Sequence, residues 1–409
     1  MPDVKIFGEH DDRTREQMAR CMQYGSVVGG VLCADGHLGY AQPVGGVIAY
    51  EDHISVSGVG FDIACGNLAV KLDVPKHAIE DCVGPLIEEI AANVSFGLGR
   101  SNAEKVENPL FDSSLWHEAE GIGRLKDMAR QQLGTVGSGN HYVDMFDDEE
   151  GLVWIGVHFG SRGLGHKTAT NFIKLSGGKD GIDVAPVVLQ QDSDLGRQYL
   201  AAMTLAGQYA YAGREWVVEK VRSIIGGEVV DTVHNHHNFA WRERHGERDL
   251  WVVRKGATPA FPGQRGFVGG SMADDAVILC GIESEAAAAS FYSTVHGAGR
   301  VMSRTEARGR LVKDPATGKK LRQPGRVQHD AMQAWLREKG VHLLGGDVDE
   351  APQAYRRLPD VLVHHSGTVK IEHILRPFAV LMAGSDVFRS VQGLTASPVK
   401  QEVPLCLSP

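Results

Sequence analysis

Short apolar runs cut by glycines dominate the chain, and only a few stretches show the three-to-four-residue spacing of a buried helical face. Residues 13–24 are the first such stretch, with Met18, Cys21 and Met22 on one side, and they predict a helix. Residues 27–50 read as strands joined by tight loops, because glycines interrupt the apolar runs at Gly36, Gly39, Gly45 and Gly46. In that reading Asp35 and His37 sit at a loop, solvated by default, with a supporting or RNA-contacting role as the alternative. A strand is predicted over 68–72, and helices over 79–92 and 114–132. Residues 153–157 predict a strand ending in His158, followed by a glycine-rich link and a helix to residue 175. A long alanine- and tyrosine-rich helix is predicted over 195–225 as scaffold. Residues 308–326 are basic and read as an exposed loop, since such charge runs are usually a solvated face. Residues 361–384 alternate and end as a strand, while 385–409 carry no strong pattern.

No internal repeat or linker-like composition divides the chain. Candidate site residues spread from Asp62 to Arg304 and must meet in space if they act together. One interwoven domain over 1–384 is therefore expected, with 385–409 as a C-terminal extension of undefined role.

Composition narrows this little. Of 409 residues, 43% are hydrophobic and 23% charged, ordinary for a globular protein. The net charge of −9 argues against a uniformly basic nucleic-acid coat but leaves a local basic groove open. Fifty glycines predict many places where backbone must turn tightly or approach something closely. The six cysteines are scattered, with no C-x-x-C pair, and read as reduced thiols of a cytosolic protein. The N-terminus lacks the apolar core of a signal peptide and no stretch is long enough to span a bilayer, so a cytoplasmic chain without a membrane partner is expected.

The chemistry concentrates in a few short stretches. In Gly58-Val59-Gly60-Phe61-Asp62-Ile63-Ala64-Cys65-Gly66 a carboxylate and a thiol lie three residues apart on a glycine-flanked turn, where both can converge on one divalent ion. Taken alone, this is equally a turn with a buried thiol. Gly134-Thr135-Val136-Gly137-Ser138-Gly139-Asn140-His141 resembles a phosphate cradle but lacks the Lys-Ser/Thr ending of a P-loop. His158, at a strand end, precedes Gly160-Ser161-Arg162-Gly163, a place for metal and anion together, although Arg162 could equally cap the helix. His234, His236 and His237 crowd four positions. Val295 to Arg304 is read as opening a helix, with His296 at its start beside Gly297 and Gly299. Five candidate ligands, Asp62, Cys65, His141, His158 and His237, exceed the needs of one tetrahedral ion, so two ions bridged by the thiolate are plausible, and ligand softness alone suggests Zn2+. Arg162, Arg300 and Arg304 supply three loose cations. His296 is not needed for metal and can serve as a nucleophile toward phosphorus.

In order, GVGFDIACG, GTVGSGNH, HFGSRGLGH, HHNFA, RKGATPAFP, GGSM and HGAGRVMSR resemble the RtcB family of RNA ligases, from about residue 35 to 384. The resemblance implies an α+β fold of packed β-sheets surrounded by helices. It also implies an enzyme that joins an RNA 3′-phosphate or 2′,3′-cyclic phosphate to a 5′-hydroxyl, in RNA repair or tRNA splicing, using GTP and two Mn2+ ions. An activating protein partner is left open. Matched motif by motif, Asp62, Cys65, His141, His158 and His237 hold the metals, and His234 and His236 do not. His296 becomes guanylylated; Asn140, Asp144, Ser271, Met272, Gly297, Ala298, Gly299 and Tyr355 contact the nucleotide; Arg162, Lys255, Arg300 and Arg304 meet phosphate or RNA.

The chain departs from the family pattern at its nucleotide end. Asp144 stands where the family usually has Glu, Ala383 where it has Lys, Gly269 where it has Pro, and Ala64 where it has Asn. Retained chemistry with shifted nucleotide or RNA choice is the expectation. A dinuclear metal-dependent phosphoesterase, which does not need His296, and a non-catalytic RNA-binding relative are the alternatives.

Overall fold

Helix α1 (Asp12–Cys21) begins where the Asp11 side chain accepts a hydrogen bond from Thr14 N. It lies low on the long strand that follows: a Cβ on Gly30 would stand 2.6 Å from Met22 Sδ and 2.7 Å from Met18 Cε, so any larger residue would have to displace these two methionine side chains. The computed structural model describes residues 2–313, 318 and 320–384. Its main strands are β1 (Val4–Ile6), β2 (Val27–His37), β3 (Val44–Tyr50), β4 (Gly66–Pro75), β5 (Tyr142–Asp147) and β6 (Leu152–Phe159). They continue as β7 (Val229–His236), β8 (Asn238–His245), β9 (Arg248–Lys255), β10 (Arg265–Val268), β11 (Ala276–Gly281), β12 (His342–Leu344) and β13 (Val369–Met382). The longer helices after α1 are α2 (Val83–Asn93), α3 (Lys126–Gln132), α4 (Arg162–Leu175) and α5 (Asp194–Ile225).

The fold is α+β. One sheet runs β1-β2-β3-β9-β8; a second runs β10-β11-β13-β5-β6-β4-β7, with β12 alongside β13. The second sheet curls almost into a barrel. Its end strands meet through side chains: Phe267 N donates to Asn235 Oδ1 (3.0 Å) and Arg265 pairs with Asp231 (2.7 Å), while Asn67 Nδ2 of the neighbouring β4 donates to Phe267 O (2.8 Å). Ala69, Phe146, Trp154 and Phe267 fill the inside. Leu68, Val70 and Leu72 face outward under α2 and α5, so β4 is buried on both faces and its sequence is a near-continuous apolar run. Helix α5, 32 residues long, spans roughly 48 Å and backs β4 and β6.

The helices expected over 13–24, to 175 and over 195–225, and the strands expected over 27–50, 68–72 and 153–157, are all present. Two expected helices are shorter. The first starts only at Val83, after two three-ten turns. Residues 114–132 break at Gly121, whose φ of 80° ends the run, and an α-helix forms only over Lys126–Gln132. The basic stretch is not simply a loop, for Leu311–Lys313 pairs with Lys320–Arg322; residues 314–317 and 319 lie outside the described residues. So does the extension over 385–409. Cys21, Cys33, Cys65 and Cys280 are free thiols, as expected, and Cys406 lies outside the described residues. Among the described residues no helix is long and apolar enough to cross a membrane.

Candidate active site and metal centre

Strands β5, β6, β4 and β7 are neighbours, each antiparallel to the next. That alternation brings the starts of β5 and β4 and the ends of β6 and β7 to one edge of the sheet. His141 immediately precedes β5, His158 is the penultimate residue of β6, Cys65 immediately precedes β4, and His237 immediately follows β7. Asp62 joins them from the turn closed by Cys65 N donating to Asp62 O at 3.0 Å. A side chain on Gly66 would collide with Asn235 O, so glycine at the base of this turn lets β4 and β7 close up beside Cys65.

Two ligand clusters result, and they share the thiol. Donor atoms of Asp62, Cys65 and His141 lie within 4.8 Å of one another, and so do those of Cys65, His158 and His237. Cys65 Sγ is 3.8 Å from His141 Nε2 and 3.6 Å from His158 Nε2, and His141 Nε2 is 2.9 Å from Asp62 Oδ2. Asn67 orients His158: its Nδ2 is committed to Phe267 O, so its Oδ1 accepts the His158 Nδ1 proton at 2.6 Å and leaves Nε2 as a lone-pair donor. Burial, with neighbouring positive groups, holds His158 and His237 well below their ordinary pKa. Burial and the Asp62 charge push the Cys65 thiol well up. Burial also raises Asp62, but the His141 contact and the Arg162 charge together bring its carboxyl below the ordinary range. The ring Nδ1 atoms of His141 and His237 are buried without a partner. A half-buried carboxylate, buried neutral imidazoles at His158 and His237, and a thiol that only a cation would ionise fit divalent metal.

His296 faces the same space, its ring centroid 5.0 Å from that of His237. It does not open a helix. Ser293–Val295 is a short strand paired with Ala257–Pro259, Gly299 has a φ of 76°, and the next helix begins only at Arg304, capped by Ser303. What orients His296 is Asp35, which lies in β2 rather than in a solvated loop and is fully buried. Asp35 Oδ2 accepts from His296 Nδ1 (2.6 Å), His296 N (2.9 Å) and Gly297 N (3.3 Å). Burial raises Asp35, but the His296 contacts outweigh it and keep the carboxyl low. An ionised carboxylate only accepts, so Nδ1 carries the ring proton and Nε2 the lone pair. His37, at the end of β2, also lines the cavity, with burial lowering its pKa to about 4.

The cavity has a volume of about 290 Å³, and seventeen of the eighteen sequence-derived candidates line it: Asp62, Cys65, Asn140, His141, Asp144, His158, His237, Lys255, Ser271, Met272, His296, Gly297, Ala298, Gly299, Arg300, Arg304 and Tyr355. Arg162 does not. Its guanidinium bonds Thr135 Oγ1 (3.3 Å) and Gly97 O (3.2 Å) behind the cavity wall. Nor are Arg300 and Arg304 loose cations. Arg300 pairs with Glu350 (3.2 Å) and donates to Tyr355 OH (2.7 Å), and Arg304 pairs with Glu350 (2.6 Å). The Lys255 ammonium donates to Tyr40 O (2.6 Å) and Ser57 O (3.2 Å). The sequence reading passed over Asn67, Tyr142 and Glu350, which also line the cavity. Asn67 had a legible signal, for it lies two residues beyond Cys65 and so on the same face of the strand.

The sequence profile of the family described as tRNA-splicing ligase RtcB matches residues 17–383. The chain is 30% identical to the tRNA-splicing ligase RtcB of Archaeoglobus fulgidus, over 87% of this chain and 88% of that protein. It is 30% identical to the tRNA-splicing ligase RtcB of Thermococcus kodakarensis, over 92% of each. The RNA-splicing ligase RtcB of Escherichia coli K12 is 29% identical, over 84% of this chain and 87% of that protein.

Proposed function

Because the chain belongs to the RtcB family, we propose that it is an RNA ligase that joins a 3′-phosphate or 2′,3′-cyclic phosphate end to a 5′-hydroxyl end, using GTP and two Mn2+ ions. The observation that carries this reading is the His296 Nε2 lone pair, fixed by Asp35 and presented to a cavity whose other wall is the shared ligand set.

In this reading Asp62, Cys65 and His141 would hold one ion, and Cys65, His158 and His237 the other. Bound there, the ions supply Lewis acidity to phosphate oxygens. His296 attacks the α-phosphorus of GTP through Nε2: an N–P bond forms, the bond to the β-phosphate oxygen breaks, and pyrophosphate leaves. Asp35 keeps the Nδ1 proton in place and balances the charge the ring acquires. An oxygen of the RNA 3′-phosphate then takes the GMP, the N–P bond breaks, and His296 recovers its lone pair. The 5′-hydroxyl attacks the activated 3′-phosphorus, gives up its proton, and GMP leaves as the phosphodiester forms. Arg300 and Arg304 stand at the cavity wall, where displacement from Glu350 would free them for phosphate oxygens.

The nucleotide end differs from the rest of the site. Asp144 offers a shorter carboxyl than the family's Glu, and Ala383 packs against the core instead of lining the cavity. This supports a shifted nucleotide choice with the joining chemistry retained. Incubation with α-labelled GTP, Mn2+ and an RNA bearing a 3′-phosphate and a 5′-hydroxyl tests the reading. The expected result is an acid-labile adduct on the wild type, none on His296→Ala, and a joined product. Phosphate-ester cleavage that survives His296→Ala would favour a dinuclear phosphoesterase instead.

A further inference from the structure

Helix α5 carries a fully buried arginine, Arg214, whose hydrogen bonds go to carbonyls and imidazoles rather than to a carboxylate. Its Nη1 donates to Ala64 O (3.0 Å) and Phe159 O (2.6 Å). Its Nε donates to His234 Nε2 (2.9 Å) and its Nη2 to His236 Nδ1 (3.0 Å). Three of these acceptors adjoin a candidate ligand: Ala64 precedes Cys65, Phe159 follows His158, and His236 precedes His237. The same bonds engage one ring nitrogen each of His234 and His236 and hold both rings toward α5, away from the ligand set.

The turn that Arg214 grips is strained. Ala64 has a φ of 58°, a conformation that disfavours any residue other than glycine and persists only where its surroundings impose it. Ala64 N donates to Asn238 O (2.7 Å) and Ala64 O accepts from Arg214, so both sides of the strained residue are held. A planar fork with five donors serves four acceptors on three chain segments at once, whereas a lysine offers only three donors from a single point.

We propose that Arg214 is a positioning residue for the metal centre: by tying the Asp62–Cys65 turn and the ends of β6 and β7 to α5, it sets the geometry in which one thiolate serves two ions. The proposal rests on the two-ion reading of the site.

Cobalt(II), titrated onto the full chain, is the probe, read by calorimetric stoichiometry and affinity and by the thiolate-to-cobalt charge-transfer absorption. Arg214→Met, folded by circular dichroism, is expected to bind at least one of the two ions tenfold or more weakly, with a weakened or displaced charge-transfer band. Arg214→Lys keeps the charge without the fork and is expected to recover only part of the loss. A folded Arg214→Met that titrates like the wild type overturns the proposal, as does full recovery by lysine. If neither variant folds, Arg214 serves the fold as a whole and the proposal falls. A wild type without any charge-transfer band, or cobalt binding unchanged in Cys65→Ala, sinks the metal reading beneath it instead.

Discussion

Asp35 and His296, 261 residues apart, meet through one carboxylate oxygen that takes the ring Nδ1 proton at 2.6 Å and two backbone N–H groups of the His296 loop. The contact fixes the ring's tautomer and the direction of its free nitrogen together. Asparagine at this position can present its NH2 group to Nδ1 and so move the ring proton to Nε2, where it blocks attack. Asp35→Asn is expected to slow adduct formation from α-labelled GTP by about 10³–10⁴-fold, the scale of a tautomer lost in a comparable dyad. Thermal stability should change little. Adduct formation at the wild-type rate would show that Asp35 does not control the nucleophile.

The shared thiol makes the two ligand clusters unequal under mutation. Cys65 belongs to both, whereas His141 belongs to one. Metal analysis after manganese loading is expected to find about two ions per wild-type chain, about one for His141→Ala and fewer than one for Cys65→Ala. Because burial and Asp62 hold Cys65 as a thiol while His158 and His237 are held neutral, loading should release about one proton per chain. Calorimetry in buffers of different ionisation enthalpy measures that release. Equal metal content in all three proteins would remove the shared-thiol arrangement.

The candidate ligands and His296 were legible because each sits in a short stretch whose residue types state their chemistry locally, glycine-flanked for all but His237, which stands in a histidine cluster. The residues that orient them were not. Asp35 reads as a solvated turn until β2 carries it beneath His296, and the adjacency β5-β6-β4-β7 does not follow chain order. Arg300 and Arg304 look unpaired in sequence because Glu350 lies some fifty residues on. The helix expected at His296 failed at Gly297 and Gly299, where backbone freedom outweighs the apolar spacing that follows. Long amphipathic helices survived such effects; the interrupted stretch over 114–132 did not.

Lys255 gives the stability of the chain a pH dependence of known sign. Its buried ammonium has two carbonyl partners, and burial lowers its pKa from 10.5 to about 8. Between those values the unfolded chain binds the proton more tightly than the folded one, so stability rises with pH. Below pH 8 the penalty is fully present, on the order of 3 kcal/mol, and above 10.5 it is gone. Urea unfolding at a series of pH values should show the wild type gaining on Lys255→Met across that window. A constant difference between the two would mean that the lysine keeps its proton in the folded chain.

In the proposed reading Asp144 faces the base of the nucleotide. It sits in β5 opposite Val380 of β13, is buried, and its Oδ1 has no partner. Burial without a neighbouring cation pushes its carboxyl well above the ordinary range, and when protonated the group offers one donor and one acceptor. A purine edge that pairs an amino donor with a ring-nitrogen acceptor, as adenine does, matches that pattern. Guanine presents two donors there and calls for an ionised carboxylate. A pocket built on an ionised carboxylate would be expected to reject the mismatched base by about 10⁴-fold, whereas this one should not. Label transfer to His296 from α-labelled ATP is therefore expected within about tenfold of that from GTP, and Asp144→Glu should move the balance toward GTP. Strict GTP preference in the wild type at an ordinary rate would show that the guanine end survives both substitutions, and that Asp144 is ionised when the nucleotide is bound.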